Sequence, residues 1–334
     1  MSKPIALYAL DANLDIEECC QNANYWGANT LILSPDLYNE PELPSLLEKY
    51  NLSLWLNISV LNNPDYLIGE PSRQAITNLK RPAKTDWCHF VCPSDRVYLN
   101  HLESEIEQYL EEMSPTIVSL DFLRQFVSWQ GKAFEQIEAQ DLEYGCFCSN
   151  CLQNFSISDH YTNQAQAQIE AGELSSDYAN WRSQKILDIA QHLTQLIRKL
   201  SPKSKLVLNT LPWPDGVLNH ASTQLAGQNK TELALLFDAM CPVAFTHLMP
   251  QDMQEKARVM QTISDETHLP IFYGLQVSHW RAKNQISNNQ FEAELKQNLA
   301  LSKHGLVIYN YDELNCSPEK ATILKRHLNP EIHY

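Results

Sequence analysis

Short apolar runs of six to ten residues, each followed by a polar residue and then by a segment with helical spacing, recur eight times along the chain. They read IALYALDA (5–12), NTLILSPD (29–36), LSLWLNIS (52–59), TIVSLDF (116–122), KLVLNT (205–210), LFDAMCPVAF (236–245), PIFYGLQV (270–277) and GLVIYNYD (305–312). Amphipathic spacing between them predicts helices over 14–25, 42–50, 98–112, 177–200, 251–265, 289–303 and 317–327. Such alternation is the mark of β/α units, and eight strands over this length predict an α/β fold of the (β/α)8 TIM-barrel kind. An open doubly wound sheet shares the alternation, but the shortage of glycine at the strand ends favours the barrel.

Two connections exceed what a plain strand-to-helix loop needs, about 57 residues after the third strand and about 83 after the fourth. Connections of that length are usually functional, and in a barrel both emerge at the C-terminal face, where active sites sit. No repeat, low-complexity tract or linker marks a second domain. The expectation is one barrel domain over 1–334, with insertions at about 60–97 and 123–176.

Composition narrows the chemistry. The chain has 334 residues and is 44% apolar, enough to fill a large core. Its start, MSKPIALYALDANLD, lacks the features of a signal peptide, and no stretch approaches the roughly 18 apolar residues of a membrane helix. A cytoplasmic location follows as an expectation. A net charge of −15, from 40 acids against 25 bases, opposes binding of nucleic acid. Nine glycines, with no GxG among them, disfavour the loops that cradle nucleotide phosphates.

The cysteines are unevenly spread. CFCSNC places Cys146, Cys148 and Cys151 in one C-x-C-x2-C loop that can present three thiolates to one ion. The best fourth ligand is Cys92 in WCHFVCPSD, on the long loop after the third strand, with Cys88 and His89 nearby as reserves. Four thiolates close a tetrahedron and leave no position for water, so a zinc held there would be structural and would staple the two long loops. In a reducing compartment such a cluster suits metal better than disulfides. Cys19, Cys20, Cys241 and Cys316 read as small core residues.

A cysteine in HFVCPSDRVY followed about fifty residues later by C-x-C-x2-C resembles the zinc-binding arrangement of the β-galactosidases of glycoside hydrolase family 42. The stretches IVSLDFLR (117–124), FDAMCPVAFTHLM (237–249) and GLVIYNYDEL (305–314) are similar to related glycoside-hydrolase-like barrels. The resemblance implies a TIM barrel, a four-cysteine zinc on Cys92, Cys146, Cys148 and Cys151, and carbohydrate as the ligand class. In that family the acid/base is a glutamate after an asparagine at the fourth strand, and the nucleophile a glutamate at the seventh. This chain has LDF and GLQVSHW there, and Gln276 can neither ionise nor act as nucleophile.

Independently of family, polar residues at the strand ends form a candidate ring. Asp121 ends an apolar run, where an unpaired carboxylate is costly without a purpose, and is the first catalytic candidate. An ion pair with Arg124, three positions on, is its structural alternative and would make it too acidic to donate a proton readily. Asp312, after VIYNY, is the second catalytic candidate, with Asp11, Asp238, Glu143 and Glu313 as others. Asp11, Asn57, Arg124, Asn209, Trp213, His247, Gln276, His279, Trp280 and Tyr309 are candidate substrate-binding residues, and Asp36 and Tyr311 complete the ring.

These readings converge on a glycoside hydrolase acting on an oligosaccharide or glycoconjugate by carboxylate acid/base catalysis, with no nucleic-acid or membrane partner and self-association left open. The loss of the usual nucleophile also admits an inverting reaction. The alternative is a non-catalytic carbohydrate-binding barrel, which Gln276 favours. A metal-dependent amidohydrolase would need an HxH pair after the first strand, where this chain has YALDAN.

Overall fold

The computed structural model of the chain describes residues 3–329 apart from 34, 39, 130, 131, 133, 171, 172, 244, 246, 247, 250, 251 and 279–285. In chain order the strands are β1 (Ile5–Ala9), β2 (Thr30–Leu33), β3 (Ser53–Ser59), β4 (Ile117–Asp121), β5 (Val127–Ser128), β6 (Glu143–Tyr144), β7 (Lys205–Thr210), β8 (Ala239–Pro242), β9 (Tyr273–Gln276) and β10 (Leu306–Tyr309). β5 and β6 form a small antiparallel ribbon outside the main sheet. The other eight are parallel, in the order β8-β7-β4-β3-β2-β1-β10-β9. Met240 and Ile271 make a parallel bridge across the gap, with Met240 N–H donating to Pro270 O and Phe272 N–H to Met240 O, both at 2.9 Å. The sheet thus closes into the TIM barrel that the alternation predicts.

The eight expected strands and seven expected helices all occur, most of them within two or three residues of their predicted ends. Local turns shorten several strands, three of them at identifiable residues. The Asp11 carboxylate accepts the Asn13 N–H at 2.9 Å and turns the chain after Ala9. Residues 234–236 form a helical turn, so β8 begins only at Ala239. Asn310 caps a short helix, Tyr311–Asn315, through a 3.0 Å bond from the Glu313 N–H, which ends β10 at Tyr309.

Two apolar layers hold the barrel. Its interior is filled by alternate strand residues, among them Ala6, Ile32, Trp55, Ile117, Val207, Phe272 and Val307. Trp55 is wholly enclosed, edge-on to Phe272, and its ring N–H is satisfied by Ser119 Oγ at 2.8 Å. The opposite strand residues, including Leu7, Leu31, Leu56, Leu120 and Leu208, pack outward beneath the helices. Asp95 caps the helix Arg96–Glu112 and Ser175 caps Ser176–Leu200, each accepting backbone N–H groups. Among the described residues, no helix is long and apolar enough to cross a membrane.

The connections after β3 and β4 are sewn together. Phe147 N–H donates to Ile76 O at 2.7 Å, Asn78 N–H to Tyr144 O at 2.8 Å, and Thr77 bridges Gly145. Gly145 is needed there, since a Cβ would lie 2.7 Å from Ile76 O. These two loops wall one side of the barrel mouth.

Candidate active site

A cavity of about 480 Å3 opens at the carboxyl ends of the strands, and every barrel strand contributes to it. Tyr8 (β1), Leu33 (β2), Asn57 and Ser59 (β3), Asp121 (β4), Asn209 and Thr210 (β7), Cys241 and Pro242 (β8), Gln276 (β9) and Tyr309 (β10) line it. The long loops add Asn62, Thr85, Trp87, Cys88, Phe122, Arg124, Val127, Ser128, Trp129 and Lys132. The result is an apolar and aromatic wall with a few convergent polar groups, the usual make-up of a small-molecule site.

Asp121 is the one carboxylate among the described residues lining this cavity. One oxygen accepts the Phe122 N–H at 2.8 Å, and the other lies 3.5 Å from the Asn57 amide nitrogen. Asn57 is held in turn, its oxygen accepting Ser119 Oγ–H at 2.6 Å and the Asn209 amide at 3.2 Å. The same Asn209 amide reaches Tyr8 Oη at 3.3 Å. Burial raises the pKa of Asp121 above the ordinary carboxylate value, opposed by hydrogen bonds from Asn209, Phe122 and Asn57 and last by the Arg124 charge. Burial, with the Asp121 charge next, pushes the Tyr309 phenol up to about 12, so it stays a neutral donor.

Arg124 does not pair with Asp121, or with any other carboxylate among the described residues. Its guanidinium lies over the rings of Phe90 and Phe122, at 5.0 and 5.5 Å, and donates from Nη1 to Gln125 O at 3.0 Å. The ion pair that the spacing suggested is therefore absent. Phe122, at φ 50°, turns the backbone between them and sends the two side chains to different parts of the wall.

Of the other sequence candidates, Asn57, Asn209, Gln276 and Tyr309 converge on the cavity with Asp121 and Arg124. Trp213 does not: it is 0% exposed, donates its ring N–H to Leu248 O at 2.9 Å and backs Trp129, which lines the cavity instead. Asp11 is exposed in its turn, and Asp312 sits on the helix after β10, so neither lines the cavity. Burial raises the pKa of Asp312, with the Asp11 charge adding to the rise. Asp238 lies at the opposite end of β8, bound to the Leu206 N–H and Arg198. Glu143 is buried against Arg81 and Thr77 and ties the loops together. Tyr311 packs on Trp26 and accepts from Asn22, away from the cavity. Asp36 is exposed in a short turn. His247, His279 and Trp280 lie outside the described residues.

Tyr8, Trp87, Phe122 and Trp129 are wall residues that the strand-end rule missed. Tyr8 was legible from parity, since it alternates with the inward-facing Ala6; the other three sit on loops without periodicity. Cys241 is a buried core residue that also lines the cavity, Cys88 lines it too and lies outside the four-cysteine cluster, and Cys316 is exposed instead of buried in the core.

Cys92, Cys146, Cys148 and Cys151 come together behind the wall, their sulfurs all within 4.8 Å of one another. Cys92 Sγ is 3.4 Å from the sulfurs of Cys148 and Cys151. A tetrahedral site with metal–sulfur bonds of about 2.3 Å has sulfur edges of about 3.8 Å, so the spacing fits one metal ion. Amide hydrogens surround the sulfurs as thiolates require: Ile76 N–H and Cys148 N–H point at Cys146 Sγ, and Cys151 N–H at Cys148 Sγ. Buried Arg182 supplies a nearby cation, its guanidinium stacked among Tyr144, Phe147 and Tyr178 and donating to Gly145 O and Leu225 O.

No protein-family model matches the chain, and no curated protein matches it by sequence. Solved structures do. Gan42B, a GH42 β-galactosidase from G. stearothermophilus, superposes with a TM-score of 0.70 at 11% identity, over 98% of this chain and 56% of that one. The β-galactosidase from Bacillus circulans sp. alkalophilus gives 0.67 at 13% identity, over 92% and 50%. The PgaB (BpsB) glycoside hydrolase domain from Bordetella bronchiseptica gives 0.66 at 12% identity, over 98% and 99%. The chain thus spans about half the length of the two β-galactosidases and nearly all of the PgaB domain. At these identities the likeness is one of fold: the chain shares its barrel with GH42 and other glycoside hydrolase structures.

Proposed function

We propose that the chain is a glycoside hydrolase in which Asp121 donates a proton to the leaving oxygen, in a site built on a single barrel domain. One observation carries the reading: a carboxyl whose neutral form is favoured by burial opens into an aromatic- and carboxamide-lined cavity at the strand ends. Sugar rings suit such walls, their apolar faces stacking on Trp87, Phe122 and Trp129 and their hydroxyls meeting Asn57, Asn209, Gln276 and Tyr309. The glycoside hydrolases among the similar folds support the same class.

Asp312 is the proposed second carboxylate. Its charge and that of Asp121 both act on Tyr309, which lines the cavity, while Asp312 itself stands back from the wall. That arrangement suits an inverting reaction, in which a base about 6.5–9.5 Å from the acid activates water. Gln276, at the seventh barrel strand, then hydrogen-bonds substrate. The four cysteines would hold a structural zinc, since an all-thiolate set prefers a soft, tetrahedral ion and leaves no open position. The zinc would fix the loops that carry Trp87, Trp129 and Arg124.

The test is release of reducing ends from a broad panel of oligosaccharides by the native chain and Asp121→Asn, with the anomeric form of the product followed by NMR. Turnover with inversion, reduced roughly 10^2- to 10^4-fold in the variant, is expected. Sugar binding without release on any substrate would instead make the protein a carbohydrate-binding barrel.

A further inference from the structure

Among the described residues, the cavity holds a cation with no carboxylate in contact. Arg124 is only 8% exposed, and among the described residues no carboxylate lies within ion-pair distance of it. Its Nη1 is used on Gln125 O, Nε and Nη2 make no hydrogen bond among the described residues, and the residue lines the cavity. Lys132, the other cation on the wall, is engaged by Asp141 at 2.5 Å. A guanidinium withdrawn from water without a carboxylate in contact is unfavourable, and the two aromatic rings beneath it and the more distant Asp121 charge return only part of its hydration.

We propose that Arg124 is an anion subsite for a sugar carboxylate, so that the ligand of this cavity is an acidic glycan containing a uronic-acid residue. Nε and Nη2 form the side-on edge of the guanidinium, whose two parallel N–H groups match the two oxygens of a carboxylate. The same edge is already used this way elsewhere in the fold, where Arg81 meets the Glu143 carboxylate through Nε and Nη2. Phe90 and Phe122 hold the plane of Arg124 in place, so little side-chain freedom is lost on binding. Trp87 and Phe122 pack with ring centroids 5.9 Å apart, tilted by 51°, and both line the cavity, giving the ring of the same sugar an apolar face.

This inference rests on the carbohydrate reading, and the experiment separates the two. Calorimetry on the native chain and Arg124→Gln would compare galactotriose with trigalacturonate, a 6-sulfated galactotriose, and acetate and sulfate alone. The expected result is trigalacturonate binding roughly tenfold or more tighter than galactotriose in the native chain. That preference should weaken with salt and disappear in Arg124→Gln, which should lose more affinity for trigalacturonate than for galactotriose. Equal or tighter binding of galactotriose overturns the acidic-sugar assignment and leaves the carbohydrate reading standing. Preference for the sulfated sugar, or survival of the carboxylate preference in Arg124→Gln, also overturns it. Binding of acetate or sulfate as tight as that of trigalacturonate removes the sugar from the account, and no binding by any probe overturns both readings. Should Arg124→Gln fail to fold, the native chain's ranking and salt dependence decide alone.

Discussion

Asp121 and Arg124 line one cavity three residues apart, yet form no ion pair. Phe122, in the left-handed conformation, separates them: Asp121 turns to Asn57 and its own loop backbone, and Arg124 to Gln125 O and two aromatic rings. Burial therefore outweighs both the cation and the hydrogen bonds, and the pKa of Asp121 rises above the ordinary carboxylate value.

The pH dependence follows from that balance. A general acid must be protonated, so turnover should fall as pH rises through the raised pKa of Asp121, above the ordinary carboxylate value of about 3.9. Arg124 favours the ionised form, so Arg124→Gln should move this limb of the kcat profile to higher pH. A shift to lower pH would mean that another group sets the limb. The same sign governs stability. The folded pKa lies above the unfolded one, so ionised Asp121 destabilises the fold at neutral pH, and the penalty fades as pH falls through the folded pKa. Asp121→Asn should keep or raise Tm at pH 7, with the difference shrinking in acid.

Metal removal should act on the loops before the barrel. Purified protein should carry about one zinc per chain by elemental analysis, and Cys92→Ser should lose it. The expected cost is about 4 kcal/mol or more by denaturant unfolding, a size associated with loss of a metal site. Limited proteolysis should then cut within 60–95 and 123–175 first. Full metal content in the variant would show that Cys92 is not a ligand.

Trp129 and Trp213 should part company on substitution. Trp213→Ala empties an enclosed site and should cost about 3–5 kcal/mol of stability. Trp129→Ala removes a half-buried wall residue and should weaken sugar binding roughly tenfold, with a smaller change in Tm. Calorimetric titration alongside thermal melts distinguishes the two.

Lys230 is enclosed near this wall, donating from Nζ to Trp213 O and Ser222 Oγ, and burial lowers its pKa to about 8. Its folded pKa lies below the unfolded value of 10.5, so between the two the unfolded chain holds the extra proton. Stability should rise with pH across that window, and Lys230→Met should flatten the rise relative to the native chain. Unfolding free energies at pH 8, 9 and 10 measure it.

The barrel was legible because its signal is repeated: each strand is an apolar run, and each helix carries its own periodicity. The cysteine cluster was legible because loop order places Cys92 beside Cys146, Cys148 and Cys151 once a barrel is assumed. The site was only partly so. Asp121, Asn57, Asn209, Gln276 and Tyr309 end their strands and point inward. Local turns at Asn13 and Asn310 end β1 and β10 early, so Asp11 is exposed and Asp312 is carried onto the helix after β10, and neither lines the wall directly. Trp213 was drawn inward by its bond to Leu248 O, while Trp87 and Trp129 ride on loops whose course no periodicity encodes.

The most direct test of Asp121 as the proton donor is a leaving-group series of aryl glycosides hydrolysed by the native chain and Asp121→Asn. A loss of roughly 10^2- to 10^4-fold is expected for poor leaving groups, with near-native rates for dinitrophenyl, which departs without a proton. A loss independent of the leaving group, or hydrolysis untouched by the substitution, would contradict that role.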